Sequence, residues 1–450
     1  MPTRSFDVVI LGGGNAGIGV TVATREAGLK VALLEPDLLG GTCPNRGCMP
    51  KKVLVAAAHA LDEIERAKAH KIVVGKPSLD WGALIDREKA MIAGIPASLE
   101  GLMERRGVEV IRERARFVGP NTVAAGGETL EAKHIVIATG SAPRRLPFPG
   151  AELMITSDDV LSERRLPESV VFVGGGVIAL EFSHVYARAG AKVTILEVLP
   201  QLLPNLDADA VEQLRRETER IGVAIHTDVE VQRIECTADR FRVVYRESGA
   251  EHAIEAERVV NGAGRVPDLD GLDVTAGRVE AERGRIALDA YLRSISNPAV
   301  YVCGDAVGST PQLSPIATYQ GRIVGRNIVD GPMQVPDYTG IPSCVFTVPA
   351  LASVGLTQAA AQEKGIGVRV AINDMHEWLS GRTYAENAAW AKLLIDTKTD
   401  QLVGAHLVGH AGEELINFFG MAMKHGITAS EIRDFIYGFP TFVADIKSML

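Results

Sequence analysis

The 450-residue sequence lacks several features that would place it in a special class of protein. It has no basic run, and its 56 acidic against 47 basic residues give a formal net charge of −9, so its average field repels nucleic acid. No apolar stretch approaches the roughly 18 residues that a membrane-spanning helix needs. The N-terminus runs into the strand-like segment Val8–Leu11, which leaves no room for a signal peptide. We therefore expect a cytoplasmic protein that binds neither nucleic acid nor a membrane.

Cysteine is also scarce, and five residues do not make a disulfide framework. Cys43 and Cys48 lie five residues apart, with a predicted helix starting just after the second. Two thiols at this spacing can close a small redox disulfide, and the helix N-terminus favours a thiolate at Cys48. No further Cys or His pair stands at ligand spacing, so no metal site is predicted. Cys236 and Cys303 have no near partner and are interpreted as packing residues.

The sequence does have a repeated glycine-rich unit. Each copy reads as a strand, a turn of three glycines that opens a helix, and a second strand that ends in an acid. The first copy runs from Gly12 to Glu35, and the second, 162 residues later, from Gly174 to Glu197. This order is typical of dinucleotide binding, because the glycines let the backbone approach a pyrophosphate and the carboxylate binds ribose hydroxyls. The turn residues expected at the two cofactors are Gly12, Gly14, Gly17, Gly174 and Gly176.

The second copy favours NADH over NADPH. A carboxylate at Glu197 suits a free ribose 2′-hydroxyl and repels a 2′-phosphate. The residues that follow it, 198–201, contain no Arg that could bind such a phosphate.

Around the cysteine pair, residues 40–52 contain the pattern Gly-Gly-Thr-Cys-x4-Cys-x-Pro-x-Lys. With Ala138-Thr139-Gly140, Gly264-Arg265-x-Pro267 and Gly304-Asp305, it resembles the flavoprotein pyridine nucleotide–disulfide oxidoreductases over essentially the whole chain. The resemblance implies an α/β fold with two Rossmann-like, doubly wound nucleotide-binding domains and an α+β C-terminal dimerisation domain. The implied domains are an FAD-binding domain in two parts, 1–150 and 271–335, an NAD(H)-binding domain at 151–270, and a dimerisation domain at 336–450.

The resemblance also implies an electron relay from NADH through FAD to a Cys43–Cys48 disulfide, whose dithiol form reduces the substrate. Cys48 would lie beside the flavin and Cys43 would attack the substrate. Lys52 would pair with Glu181 beside the flavin, and Asp305 would bind the FAD ribityl and pyrophosphate region. The further cofactor-binding residues that it implies are Thr42, Thr139, Gly140, Gly264 and Ala317.

The C-terminal segment departs from the family pattern. Family disulfide reductases usually donate a His-Pro-Thr-x-x-Glu acid/base to the partner subunit, but here Phe439 stands at the His position and Ala444 at the Glu position. Neither side chain can move a proton, and a positioned acid/base typically contributes ~10² to ~10⁴ in rate. One possibility is that Tyr437 replaces the missing acid/base, and another is that Asp445 or His376 does so. The third is that the substrate reacts without an acid/base group.

The sequence therefore predicts a homodimeric, FAD-dependent and NADH-preferring enzyme that reduces a small disulfide or another soft electrophile by dithiol exchange. One alternative is a diaphorase that passes electrons to quinones or metals, with the disulfide as an electron store. The other alternative is a non-catalytic FAD-binding subunit of a complex.

Overall fold

Helices and strands alternate through most of the chain in the computed structural model, which describes residues 3–450 and thus leaves out the first two residues of the N-terminal segment discussed above. The helices are α1 (Asn15–Glu26), α2 (Thr42–Arg46), α3 (Cys48–Arg66), α4 (Trp81–Ile92), α5 (Ile95–Arg105), α6 (Ser157–Val160), α7 (Val177–Ala189), α8 (Ala208–Arg220), α9 (Ser314–Asp330), α10 (Gln358–Glu363), α11 (Leu379–Thr383), α12 (Gly412–His425), α13 (Ala429–Asp434) and α14 (Ile446–Met449). The strands are β1 (Thr3–Leu11), β2 (Val31–Leu34), β3 (Glu109–Ile111), β4 (Arg116–Gly119), β5 (Thr122–Ala125), β6 (Glu128–Ile137), β7 (Ser141–Pro143), β8 (Ser169–Val173), β9 (Lys192–Leu196), β10 (Ala224–His226), β11 (Val229–Cys236), β12 (Phe241–Glu247), β13 (Ala250–Ala256), β14 (Arg258–Asn261), β15 (Arg265–Pro267), β16 (Ala281–Glu282), β17 (Arg285–Ile286), β18 (Val300–Val302), β19 (Ser343–Val345), β20 (Leu351–Gly355), β21 (Val368–Asp374), β22 (Ala389–Asp396) and β23 (Leu402–Gly409).

The first of two compact units comprises residues up to Lys51 together with 87–144 and 265–337. Its sheet has the order β3-β2-β1-β6-β5-β4, with β18 also beside β6. The strands around β1 are parallel, whereas β4 and β5 form an antiparallel edge. Val8–Leu11 in β1 are at most 1% exposed, as expected for a parallel strand that is covered on both faces.

The second unit comprises residues 52–86, 145–264 and 338–450. It contains the parallel sheet β10-β9-β8-β14, the antiparallel sheet β11-β12-β13 and the antiparallel sheet β19-β20-β23-β22-β21. Strand β8 is fully buried, and the helix α7 that follows it ends at Gly190, whose φ of +102° suits a residue without a side chain. The division into cofactor and dimerisation domains given above stays a prediction.

The two glycine-rich turns occupy equivalent places in their units. Each turn follows the carboxyl end of a parallel strand, β1 or β8, and precedes a helix, α1 or α7. The Gly12 N–H donates to Leu34 O at 2.8 Å, and the Gly174 N–H donates to Leu196 O at the same distance. Ligands of open α/β sheets bind at the carboxyl ends of parallel strands, so this fold places both predicted cofactor sites where such sites occur.

Residues 81–105 form two helices, because Gly94 separates α4 from α5 and a proline stands in the first turn of α5. Strands β10 and β11 are separated by a turn with Asp228 at a φ of +57°. One detail of the sequence interpretation is wrong. Cys236 is exposed at the end of β11 and is not a packing residue, whereas Cys303 is buried.

Candidate active site

The first glycine-rich turn is built so tightly that side chains are excluded from it. A Cβ on Gly12, whose φ is +114°, would lie 2.3 Å from Ala138 O, and a Cβ on Gly17 would lie 1.9 Å from Gly12 O. Helix α1 then begins after Gly14, and no side chain among the described residues caps it. The backbone N–H groups of its first turn are therefore available to an anion, together with the positive end of the helix dipole.

The acidic strand ends make the same pair of hydrogen bonds in both copies. Glu35 accepts from the N–H groups of Gly13 and Asp37, at 2.8 and 2.9 Å. At positions 162 residues later, Glu197 accepts from the N–H groups of Gly175 and, at 2.8 Å, of Leu199.

Each of these carboxylates is thus fixed by two backbone donors beside its glycine turn. A carboxylate oxygen can accept more than one hydrogen bond, so both remain able to bind ribose hydroxyls.

Asp305 lies in a short 3₁₀ turn, Gly304–Val307, next to a network that the sequence did not indicate. The Ser141 hydroxyl donates to Asp305 Oδ2 at 2.9 Å, and Arg265 Nε donates to the same hydroxyl at 3.0 Å. Burial raises the pKa of Asp305, whereas the Ser141 hydrogen bond and the Arg265 charge lower it. A half-buried carboxyl group held in this way suits the polyol and pyrophosphate region of a flavin nucleotide.

The other predicted cofactor residues are divided between the two units. The Thr139 hydroxyl donates to Asp268 O at 2.6 Å, and Gly140 O accepts from the Asp268 N–H at 3.0 Å. Ala317 is buried in α9, and the exposed Thr42 begins α2. In the second unit, a Cβ on Gly174 would lie 2.5 Å from Ala263, and one on Gly176 would lie 2.8 Å from Gly262 O; Gly264 follows directly at a φ of +90°.

The residues present therefore fit FAD at the first unit and a nicotinamide dinucleotide at the second. In the first unit, α1 provides free N–H groups for a pyrophosphate, Glu35 a carboxylate for ribose, and Asp305 a half-buried carboxyl group. In the second unit, α7 begins after Gly176 without a side-chain cap, and Glu197 repeats the role of Glu35.

Cys43 and Cys48 are both free thiols within hydrogen-bonding reach of each other. The turn before them, Gly40-Gly41, packs on the first glycine turn, with the Gly40 N–H donating to Gly13 O at 2.8 Å. Cys43 lies half-buried in α2, and Cys48 is exposed as the first residue of α3. The fold thus brings the cysteine pair to the predicted FAD turn within one unit.

The surroundings of Cys43 stabilise its thiolate. The hydrogen bond with Cys48 lowers the pKa of Cys43 to about 6, and hydrogen bonds from Ser314 and Asn15 and the charge of Lys51 add to the effect against the opposing cost of burial. The Asn15 amide in turn donates to the Ser314 hydroxyl.

The same hydrogen bond and the negative charge on Cys43 raise the pKa of Cys48. The electrostatics therefore favour a thiolate at Cys43. The sequence alone predicts the thiolate at Cys48 instead, because only the start of the helix is visible in it.

Lys52 and Glu181 lie in the second unit, and both contact Phe346. The Lys52 ammonium lies 3.8 Å from the centre of the Phe346 ring, a cation–π arrangement. The Phe346 N–H donates to Glu181 Oε1 at 2.9 Å, which fixes this carboxylate, only 2% exposed, on α7. Phe346 thus positions both members of the predicted pair.

The candidate replacements for the missing acid/base have partners of their own. The Tyr437 hydroxyl donates to Ile432 O at 2.9 Å, and burial raises the pKa of this phenol. Asp445 accepts from the buried His410. His376 lies between Asp374 and Glu377, and its hydrogen bond to Asp374 raises its pKa. Phe439 itself is 78% exposed.

Sequence reasoning missed several residues of this site. They are Asn15, Ser141, Arg265, Ser314 and Phe346. Arg265 stands inside the Gly-Arg-x-Pro motif, but only the three-dimensional structure shows that the Ser314 hydroxyl reaches the Cys43 thiol. Within residues 3–450, no group of three or more His, Cys, Asp or Glu side chains could hold a metal ion. None of the helices in that range is both long enough and apolar enough to cross a membrane.

Comparison with known proteins agrees with this geometry. A pyridine nucleotide-disulphide oxidoreductase family model matches residues 6–321, and the family's dimerisation-domain model matches residues 341–450. A dihydrolipoyl dehydrogenase of Chlorobaculum tepidum is 31% identical over 98% of this chain and 96% of its own. A glutathione reductase of Burkholderia cepacia is 32% identical over 100% of this chain and 99% of its own.

Among solved structures, the Cu(II) complex of the HOCl-induced flavoprotein disulfide reductase RclA from Escherichia coli is similar. Its TM-score is 0.88 at 27% sequence identity, and the match covers 99% of each chain. The chain therefore belongs to the pyridine nucleotide–disulfide oxidoreductase family of flavoenzymes, for which FAD is the expected flavin, and its dimerisation domain supports a homodimer. The predicted α/β fold class is confirmed.

Proposed function

We propose that this enzyme uses NADH to reduce a soft electrophile at the Cys43–Cys48 pair. The observation that carries the proposal is the environment of Cys43, where local hydrogen bonds lower the pKa of the thiol to about 6. The attacking sulfur is then a thiolate at neutral pH without a histidine base, and the thiolate is the reactive form in disulfide exchange. A reducing compartment such as the cytoplasm suits this chemistry, because thiols persist there.

The two cysteines have different roles in the proposed reaction. Bound FAD would supply the acceptor for the nicotinamide hydride and the donor of an electron pair to the Cys43–Cys48 disulfide. Cys43 then attacks the substrate, and Cys48 resolves the mixed disulfide. Phe346 contacts both Lys52 and Glu181 and so holds them in fixed positions within the second unit.

Glu197 supports NADH as the electron donor. Its carboxylate is fixed by two backbone N–H groups and is only 7% exposed, so it cannot easily turn away from a ribose 2′-phosphate. A second negative charge at that position would be repelled, whereas a hydroxyl group would be bound.

The C-terminal segment, which we propose completes the partner subunit's site, supports a restricted substrate class. Phe439 cannot donate a proton, and Tyr437 and Asp445 are engaged in hydrogen bonds within their own chain. The leaving sulfur must then depart without help from a positioned acid. Thiols with a low pKa leave readily as anions, whereas alkyl thiols such as glutathione leave less readily. We therefore expect aryl disulfides and other electrophiles with weakly basic leaving groups to be preferred.

A reducible metal ion such as Cu(II) is a second candidate substrate, because its reduction needs no protonated leaving group. The specific observation in its favour is the similar structure described as a Cu(II) complex of a flavoprotein disulfide reductase. Oxidation of the Cys43–Cys48 dithiol to its disulfide would reduce two Cu(II) ions to Cu(I) and release two protons. Thiolates are suitable ligands for Cu(I).

The proposal is tested by measuring NADH-dependent kcat/KM over a series of disulfides with leaving thiols of increasing pKa. We expect kcat/KM to fall by about a hundredfold from aryl disulfides to glutathione disulfide, since the missing acid contributes ~10² or more. Cys43→Ser should abolish turnover of the whole series, whereas Cys236→Ser, at an exposed cysteine outside the site, should have no effect.

Two results would contradict the proposal. One is equal efficiency across the series. The other is a Cys43→Ser enzyme that keeps its full activity with disulfides. The diaphorase alternative is correct under a different outcome. In that case the wild type reduces quinones faster than disulfides, and Cys43→Ser loses disulfide reduction but keeps quinone reduction.

A further inference from the structure

His410 forms a buried cluster that the chemistry described so far does not use. The side chain is fully buried, with Nδ1 2.9 Å from Glu386 Oε2 and Nε2 2.9 Å from Asp445 Oδ2. Each ring nitrogen is thus within hydrogen-bonding distance of a carboxylate, and the His410 side chain joins Glu386 to Asp445.

The backbone at this point is held in an unusual conformation. Gly409, His410 and Ala411 follow one another at φ values of +71°, +55° and +51°, where residues other than glycine are uncommon. The His410 N–H adds a third hydrogen bond, to Glu386 Oε1 at 2.9 Å. Two successive left-handed residues without glycine persist only where the surroundings fix them, and here the surroundings are these carboxylates.

The cluster ties the C-terminal loop, defined as residues 435–445, to the rest of its unit. Asp445 ends the loop and also accepts from the Ser380 hydroxyl. The Phe442 ring meets the His410 ring edge-on, with centroids 4.6 Å apart. Toward the tip, in contrast, Ile436 is 90% exposed and Phe439 is 78% exposed. The loop is thus held by hydrogen bonds at its Asp445 end, whereas its tip is apolar and exposed.

We propose that His410 is a positioning residue that fixes the C-terminal loop in the conformation that presents its apolar tip to the partner subunit's site. This inference rests on the proposed function, in which that tip lies beside the electrophile. The carboxylate nearest to the family's Glu position, Asp445, binds His410 of its own chain and so supports the loop instead of a catalytic histidine.

The test compares His410→Gln and Asp445→Asn with the wild-type, FAD-loaded dimer. Hydrogen–deuterium exchange should rise by about tenfold or more in residues 436–445, since local opening is controlled by the contacts of the segment that opens. The KM for an aryl disulfide should rise by about tenfold, since misplacement of a binding loop weakens substrate positioning. The anaerobic rate of flavin reduction by NADH should not change, because it does not involve the loop.

The matched control is His406→Gln, at another buried histidine of the same strand region. Its ring bonds Ser353 and Leu356 O and does not touch the C-terminal loop. This variant should lower the melting temperature without changing loop exchange or the KM. The proposal is overturned if His410→Gln and His406→Gln have the same effects, or if His410→Gln raises exchange throughout residues 341–450. If NADH generates no thiols in the wild type, the proposed function fails instead, whatever the loop does.

Discussion

At the scale of single residues, the chemistry depends on which groups surround one sulfur atom. Cys43 receives hydrogen bonds from Cys48, Ser314 and Asn15, and the charge of Lys51 acts in the same direction. Each of these groups favours the charged form of the thiol. Local donors thus provide the thiolate that a histidine base would otherwise have to generate.

This environment predicts the pH dependence of thiol reactivity. In the NADH-reduced enzyme, the alkylation rate of Cys43 by iodoacetamide should rise with pH, reach half its maximum near pH 6, and stay constant above. The rate rises because the thiol loses its proton as the pH passes its pKa. Ser314→Ala should move the midpoint upward, toward the ordinary cysteine pKa of about 8.5. Peptide mass spectrometry separates Cys43 from the exposed Cys236, and a midpoint at an ordinary pKa in the wild type would refute the account.

The repeated carboxylates allow a matched pair of substitutions. Glu197→Gln should lower kcat/KM for NADH by about tenfold or more, since hydrogen bonds to charged groups contribute about 1.5–3 kcal/mol, and should change NADPH turnover much less. Glu35→Gln, at the equivalent position of the first unit, should weaken FAD retention and leave the preference for NADH unchanged. The test measures kcat/KM for NADH and for NADPH with both variants. A preference for NADPH in the wild type would contradict the role given to Glu197.

At the scale of elements, the strand–turn–helix units position everything else. The first turn receives the Gly40-Gly41 backbone and thereby fixes the cysteine pair beside the predicted flavin site. Close approach of backbone to backbone explains why glycine recurs there, since a Cβ on Gly41 would lie 2.9 Å from the Cα of Gly14.

Alanine substitutions at two glycines of the first unit distinguish the effect of backbone strain from the effect of a steric clash. Gly12→Ala puts a Cβ 2.3 Å from Ala138 O, so we expect a protein that purifies with less than about a tenth of the wild-type flavin, because the cofactor turn cannot close. Gly28→Ala has a similar positive φ but open space, and should keep its flavin while losing about 1 kcal/mol of stability. Absorbance of bound flavin and thermal melting measure both effects, and full flavin retention by Gly12→Ala would contradict this account of the turn.

The elements also show what the sequence could and could not predict. Both glycine turns, both acidic strand ends and the cysteine pair could be predicted from the sequence, because these features depend on local pattern and spacing. The break between α4 and α5 is not predictable in this way, because one glycine is weak evidence against a helix. The Ser314 hydroxyl contacts Asn15, which lies 299 positions away in the sequence, and it also contacts Cys43; no local pattern reports such distant pairs.

At the scale of the whole molecule, the proposed substrate preference depends on the C-terminal loop. Where the family resemblance predicts a histidine, this loop has the exposed Phe439. An exposed aromatic residue can be replaced without disturbing the core.

Phe439→His should therefore raise the turnover of glutathione disulfide by about tenfold or more, since a positioned acid contributes ~10² to ~10⁴. Ile436→His, at an even more exposed position of the same loop, is the control and should leave turnover unchanged. Steady-state kinetics with NADH measure both variants. No gain from Phe439→His would mean that leaving-group protonation does not limit this enzyme.

The central claim is that electrons from NADH reach the Cys43–Cys48 disulfide, and counting thiols tests it most directly. The oxidised, FAD-loaded protein is mixed anaerobically with one equivalent of NADH, and free thiols are counted by mass spectrometry after rapid alkylation. The account predicts two new thiols per chain, at Cys43 and Cys48, and none in Cys43→Ser. Bleaching of the flavin with no new thiols would contradict it.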